Sequence, residues 1–232
     1  MFDADFNFIN EEFYAYGITL TQLDSLLAGG WRHFGAHFFR YNVGIYEFDI
    51  RYVIPLRIRL AGSSFSRSQR RTISRNRDLD IVFGPLNITA ESQRLFDRHK
   101  SRFKNHVPDS IHDFVSASGI HSFETKQLSV RKGSELIAES YFDVGGSSLS
   151  GVYGTFDPRY SNRRLGIFTL LKEIEYALDE RKDFYYLGYS YAGRSFYDYK
   201  KKFRSSEYFD WKRNRWEVFN FDEESNADSI LL

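Results

Sequence analysis

The chain has 232 residues, 42% of them hydrophobic and 18% aromatic, enough to bury the core of one large domain or two interlocked ones. Its formal net charge of +1 gives the whole molecule little pull on a polyanion, and the absence of cysteine excludes disulfides, iron–sulfur clusters, thiolate zinc and a cysteine nucleophile. No apolar run is long enough for a membrane span and the acidic, aromatic start lacks a signal-peptide pattern, so a cytoplasmic location is expected.

Residues 1–18 show no clear period. Thr19 or Thr21 is placed to cap a short helix whose buried face is Leu20, Leu23, Leu26 and Leu27, and Gly29-Gly30 ends it. A strand is predicted over 36–41. Pro55 opens an alternating run in which Leu56, Ile58 and Leu60 point one way and Arg57 and Arg59 the other, the pattern of a half-buried strand with arginines on its outer face. After the small-residue loop 61–64, Ser66 and Gln69 have the spacing of a capping box and predict a helix over 67–77. A strand over 79–83, a Thr89-capped helix over 90–104 and a short helix over 108–117 follow.

The second half reads as a meander of strands over 123–131, 135–144 and 147–156, with turns at Lys132-Gly133 and Gly145-Gly146. Ser161 is placed to cap a long helix over 163–181 with Leu165, Phe168, Leu171, Ile174 and Leu178 facing inward. A strand over 184–189, a basic helix over 195–203 and a last strand around 208–211 complete the order. That succession predicts an α+β fold: an acetyltransferase-like (GNAT-like) mixed sheet flanked by helices, with an interlocked N-terminal α+β subdomain. The expected divisions are 1–117, 118–219 and an acidic tail over 220–232.

Charge is distributed unevenly. Seven arginines and no acid lie between Arg57 and Arg77, and a second basic run from Arg194 to Arg215 centres on Lys200, Lys201, Lys202 and Arg204. On a helix, Arg67, Arg70 and Arg71 share a face beside an N-terminus whose free N–H groups attract phosphate, and guanidiniums bind phosphate through paired hydrogen bonds. A solvated surface helix explains the same run equally well. Lys200 to Arg204 either point into a cleft or form a basic surface helix. Arg163-Arg164-Leu165-Gly166 at a helix start is half of the turn that cradles the pyrophosphate of coenzyme A in acetyltransferases; Phe168 stands where that turn needs a small residue, and the phosphate or terminal ribose of another carrier is the alternative ligand. His33 and His37 lie four apart without a carboxylate at ligand spacing, which favours packing or surface roles over a metal site. No Ser–His–Asp order with a nucleophile elbow is present.

The chain resembles the arginyl-tRNA–protein transferase family, which includes bacterial leucyltransferases acting on amino-terminal Asp or Glu. The resemblance rests on Gly30-Trp31-Arg32-His33-Phe34-Gly35, Pro55-Leu56-Arg57-Ile58, Ser66-Arg67-Ser68-Gln69-Arg70-Arg71 with Asn76, Leu95-Phe96, Leu136-Ile137-Ala138 and Asp143-Val144. It continues through Leu149-Ser150-Gly151-Val152-Tyr153, Asp157-Pro158, Leu165-Gly166, Ile174-Glu175, Tyr186-Leu187-Gly188-Tyr189, Tyr199-Lys200 and Phe203-Arg204, in series over roughly residues 20–211.

The resemblance implies a tRNA-dependent aminoacyltransferase on an acetyltransferase-like fold. An acceptor amine attacks the aminoacyl ester of a charged tRNA, with positioning and oxyanion donors providing most of the rate. Aminoacyl-tRNA is then a co-substrate, and no cofactor or metal is expected. The residues implied are Asp143, to orient an amine or a basic side chain, with Tyr153 and Lys200 at the reaction centre. Arg67, Gln69, Arg70, Arg71 and Arg204 would hold tRNA; Trp31, Arg32, Ser150, Tyr189 and Tyr199 would bind substrate. Arginine is expected ahead of leucine as the donated residue. The acceptor is a protein N-terminus, a peptide or an amino acid, cyclodipeptide formation included.

The chain departs from the family where Val53-Ile54 replace a cysteine pair before Pro55, Ser190 replaces Trp, Phe196-Tyr197 replace Lys-Met and Ser205 replaces Pro. The lost cysteines remove the ligands for the iron–sulfur or zinc centre attributed to relatives, and the altered 190–197 segment puts an acidic acceptor in question. Two other classes compete: a coenzyme A-dependent N-acetyltransferase, and an inactive relative that binds tRNA or a degron.

Overall fold

The structure, a computed structural model, describes residues 7–103, 107–115 and 119–219. The amino-terminal stretch without a clear period supplies β1 (Asn10–Tyr14), followed by α1 (Leu20–Ala28), β2 (Arg32–Phe34) and β3 (His37–Tyr41). The three strands form a small antiparallel sheet in the order β1-β3-β2. Thr19 caps α1 in a reciprocal box with Gln22, and Leu23 and Leu27 bury its inner face while Leu20 remains exposed.

β4 (Val43–Tyr46) and β5 (Asp49–Arg59) form a hairpin, then come α2 (Arg67–Arg75), β6 (Asp80–Pro85) and α3 (Ala90–Lys100). α2 starts as predicted, with Ser66 and Gln69 satisfying each other's backbone N–H groups. The region predicted helical over 108–117 holds a single 3-10 turn, Ile111–Asp113, among its described residues. The meander is β7 (Glu124–Lys132), β8 (Glu135–Val144) and β9 (Ser148–Phe156), close to the predicted bounds.

A 3-10 turn, Pro158–Arg163, precedes α4 (Leu165–Asp179). Arg164 joins them in the left-handed region at φ 55°, so Ser161 belongs to the turn and does not cap α4. Leu178, expected inward, is exposed, and Ala177 takes the buried place. The chain continues through β10 (Phe184–Tyr191), a 3-10 turn over Phe196–Lys202 where a longer helix was expected, β11 (Ser206–Asp210) and β12 (Arg215–Val218).

The main sheet runs β12-β11-β5-β10-β9-β8-β7-β6, with β4 added to β5. Its ladders are antiparallel except the parallel pair β9–β10, so the fold is α+β with a mixed sheet flanked by helices. Successive side chains point to opposite faces. Phe142 and Tyr185 join Phe168, Leu171 and Ile174 of α4 in the main core. Tyr141 packs with Phe96 of α3 on the other face, and Tyr186 with Leu23 and Leu27 of α1.

β5, from the N-terminal half, is threaded between β10 and β11, which corrects the sequence reading of its arginines. Both faces of the strand are covered, and Arg57 is 7% exposed. Its Nε donates to Glu207 at 2.6 Å, and its guanidinium lies 3.9 Å above Phe184 and 4.3 Å above Trp216. Of the two arginines in the alternating run, Arg59, at the strand end, reaches solvent. The boundary expected at 117–118 straddles residues outside those described, and the tail over 220–232 lies outside them too. Among the described residues no helix is long and apolar enough to cross a membrane.

Candidate active site

β9 and β10 pair for three residues only: Ser148 with Phe184, Leu149 with Tyr185, and Ser150 with Tyr186. Beyond that point β9 stays with β8 and β10 with β5, and the two parallel strands part. β10 also shifts register between Tyr186 and Gly188, where Gly188 adopts φ +83°. Backbone carbonyls along the split therefore lack a strand partner, and buried carbonyls need one.

Two cationic side chains supply the missing donors. Arg32, which enters from β2, donates from Nη2 to Gly151 O and from Nη1 to Ser150 Oγ, each at 2.5 Å. Lys200, on the last 3-10 turn, donates to Tyr189 O at 2.9 Å. A Cβ on Gly188 would lie 3.4 Å from both Arg32 Nη2 and Lys200 Nζ, so the two cations meet over this glycine. Burial depresses Lys200 to about 7, and the neighbouring Arg32 pushes the same way. Burial also lowers the buried Arg32, against pulls upward from Tyr189 and Asp143.

The wall formed by α4 adds a carboxyl. The Tyr185 hydroxyl donates to Glu173, and a Cβ on Gly151 would lie 2.5 Å from that hydroxyl and 3.4 Å from Glu173 Oε2. Burial pushes Glu173 up to about 7, against a downward pull from the hydrogen bond of the Tyr185 hydroxyl. Tyr199 is half-buried beside this pair; burial raises it, and Tyr197 and Glu173 add to the effect. Tyr189 closes the other side: its hydroxyl donates to Gly30 O at 2.8 Å, and its ring meets Tyr41 edge-on at 5.1 Å.

Arg32, Ser150, Tyr189, Tyr199 and Lys200 thus come together around the split. Asp143 is next to them, paired across the ladder with Ser150, but its carboxylate faces Thr125 and His33. Oδ1 accepts from Thr125 at 2.6 Å, and Oδ2 lies 2.9 Å from His33 Nε2, with Asp143 only 1% exposed. His33, which sequence reasoning set aside, anchors β2 to β8 while its neighbour Arg32 reaches β9. The consecutive run Trp31-Arg32-His33 was the one signal that pointed there.

Tyr153 and Trp31 face elsewhere. Tyr153 stacks on Phe114 at 3.8 Å; its buried hydroxyl has no hydrogen-bond partner among the described residues, and burial pushes it up to about 12. Trp31 meets Phe13 edge-on at 4.9 Å and carries Arg40 over its ring at 4.9 Å, both within the small sheet.

The arginine helix lies against the turn that carries Lys200. Gln69, 8% exposed, is used up by the capping box and by Lys202 O, which its Nε2 reaches at 3.5 Å. Arg67, Arg70, Arg71 and Arg204 are exposed, and Arg164 joins them through Ser68 at 3.3 Å. None of the five pairs with a carboxylate among the described residues, whereas Arg163 is held by Asp78 at 2.8 Å. Phe168, expected on the inward face of the helix, is buried there within α4.

These features define an α+β protein with a cationic cluster between two parting parallel strands and, beside it, a ridge of arginines without carboxylate partners among the described residues. Residues 91–210, more than half of the chain, match the family model described as arginine-tRNA-protein transferase, C terminus, and the chain belongs to that family. It is 34% identical over 178 residues to an aspartate/glutamate leucyltransferase of Stenotrophomonas maltophilia, covering 73% of this chain and 70% of that one. A protein of the same name from Leptospira interrogans is 31% identical over 159 residues, covering 65% and 62%. Among solved structures, L-PGS from Bacillus licheniformis aligns over 78% of this chain and 54% of its own, with a TM-score of 0.47 and 12% identity.

Proposed function

We propose that this protein is a tRNA-dependent aminoacyltransferase whose reaction takes place where β9 and β10 part. The observation that carries this reading is the convergence of Arg32, Ser150, Tyr189, Tyr199 and Lys200 at that split, next to arginines with no carboxylate partner among the described residues. The succession of meander, α4 and a parting parallel strand supports an acetyltransferase-like arrangement of donor and acceptor. The ridge of Arg67, Arg71, Arg164 and Arg204 is suited to a phosphate backbone, which such contacts position without reading sequence.

In the reaction the acceptor nitrogen forms a bond to the ester carbonyl carbon, and the ester C–O bond breaks. The proton lost by the amine ends on the released ribose oxygen. The amine must be neutral to attack, and a lysine poised at about 7 is suited to take up and return that proton near neutral pH. Arg32 retains N–H donors beyond those given to Ser150 and Gly151, and these are suited to the developing oxyanion.

Leucine is placed ahead of arginine as the donated residue, the reverse of the expectation from sequence. Among the described residues at the split, Glu173 takes the Tyr185 hydroxyl and is pushed up toward neutrality by burial, and Asp143 accepts from Thr125 with His33 Nε2 2.9 Å from its other oxygen, so neither stands open to a guanidinium. The relatives named above are leucyltransferases. The guanidinium of Arg32, which stays charged while Lys200 exchanges its proton, also favours an acceptor with an acidic first residue. The test is transfer from radiolabelled Leu-tRNA and Arg-tRNA to peptides bearing each amino-terminal residue, with small products followed by mass spectrometry. Leucine on Asp or Glu peptides is expected. Arginine transfer would overturn the donor assignment, and intact charged tRNA with every acceptor would overturn the activity.

A further inference from the structure

A groove of about 540 Å³ opens between α2, α4 and the start of β6, away from the split strands. Its volume is within the range of small-ligand sites. Phe65, Ile73, Leu79 and Ile81 give it an apolar floor with an aromatic member, and Arg70, Arg77 and Lys172 stand around it. The carboxylate present, Glu175, is bonded to Lys172. Arg70 donates to Phe65 O at 2.6 Å, and Arg77 donates to Ser74 O and Oγ, so both guanidiniums keep further donors and neither has a carboxylate partner among the described residues. An apolar floor beside unneutralised guanidiniums matches a flat ring with an anion attached to it. Arg70 also belongs to the unpaired arginines of α2, which makes the groove continuous with that ridge.

We infer that this groove receives one unstacked nucleotide of the donor RNA, its base against Phe65 and Ile73 and its phosphate between Arg70 and Arg77. The inference rests on the RNA-dependent reading above and adds to it a subsite in which a base is gripped as well as a phosphate. A free nucleotide has the same chemistry; continuity with the arginine ridge is what assigns the site to RNA.

The test is fluorescence anisotropy of labelled deacylated tRNA across a salt series, using the wild type and the variants Arg77→Ala, Phe65→Leu and Arg67→Ala, each first checked for an unchanged circular dichroism spectrum. Arg77→Ala is expected to weaken binding and to flatten the plot of log K against log salt by about 0.7, the loss of one single-strand phosphate contact. Phe65→Leu keeps apolar volume but loses the stacking face. It is expected to weaken binding by about 5-fold or more with the salt slope unchanged. If both variants bind like the wild type while Arg67→Ala is weaker, the groove assignment is overturned and the RNA reading stands. If the wild type itself fails to bind tRNA, the RNA reading falls, and the groove with it. If AMP binds in a Phe65-dependent way while tRNA affinity is unaltered in both groove variants, the site belongs to a free nucleotide and the inference is wrong.

Discussion

Replacing Lys200 by methionine keeps the aliphatic stem and removes the ammonium, which isolates the cost of holding a cation at the strand split. Burial and Arg32 bring Lys200 from the ordinary 10.5 to about 7. At 1.36 kcal/mol per pH unit, that depression corresponds to about 5 kcal/mol against the charged form. Lys200 is only half-buried and solvent screens part of the effect, so about 3 kcal/mol is a fair expectation. Between about pH 7 and pH 10.5 the unfolded chain holds a proton on this lysine that the native chain has released. Native stability therefore rises with pH across that window, by at most about 1.4 kcal/mol per unit. Lys200→Met should be more stable than the wild type at pH 7, and its advantage should shrink steadily toward pH 10, where the wild type keeps its hydrogen bond to Tyr189 O. Urea unfolding of both proteins at pH 7, 8, 9 and 10 measures this directly. Parallel stability curves across those four values would refute the reasoning, whatever the variant does to transfer, which is expected to fall.

Three further outcomes are expected. Glu173, raised from 4.5 to about 7, holds a proton in the native chain between those values that the unfolded chain has lost, so stability declines as pH rises through that window. Glu173→Gln keeps an acceptor for Tyr185 and should abolish the decline, gaining about 2 kcal/mol at pH 8 in chemical denaturation. Glu207→Gln strips the buried Arg57 of its counter-charge and should lower stability by about 3 kcal/mol or more, read as a lower midpoint in a thermal melt. At Gly188 the space admits a methyl group at 3.4 Å from both cations but φ +83° does not suit an L-residue. Gly188→Ala should therefore cost about 1–2 kcal/mol through backbone strain, with the fold retained in circular dichroism.

The parts of this fold that were legible in sequence are the local ones. The Ser66–Gln69 box closes within a single helical turn, and the Lys132-Gly133 and Gly145-Gly146 turns mark the meander by backbone chemistry alone. Arg57 was misread because alternation along a strand assigns faces but does not say what lies over them. The cover comes from Glu207, 150 residues further on, and from Phe184 and Trp216. The helix over 195–203 shortened to a 3-10 turn that directs Lys201 into the protein, where its Nζ donates to Gly193 O at 2.7 Å. Motif resemblance singled out Arg32, Ser150, Tyr189, Tyr199 and Lys200, while for the neighbour of Asp143 it offered only the run Trp31-Arg32-His33: His33 lies in a separate sheet, and no spacing rule links it to β8.

What unites the cluster is an unmet hydrogen-bonding need. Two parallel strands that part after three pairs leave carbonyls facing a gap, and a buried carbonyl left unpaired is expensive. An ordinary sheet would satisfy Gly151 O and Tyr189 O with backbone amides. Here they are satisfied by the ends of two long cations, which carry positive charge into the gap along with their N–H groups. The device that completes the fold is therefore the same one that, under the proposed function, would draw an ester oxygen or an acidic side chain into the gap. An incoming anion competes with Tyr189 O for Lys200 and raises the lysine again as it binds. On this reading, stability in the empty protein and affinity for an acidic acceptor draw on the same atoms. Substitutions at Lys200 should then trade one against the other, with no change confined to either.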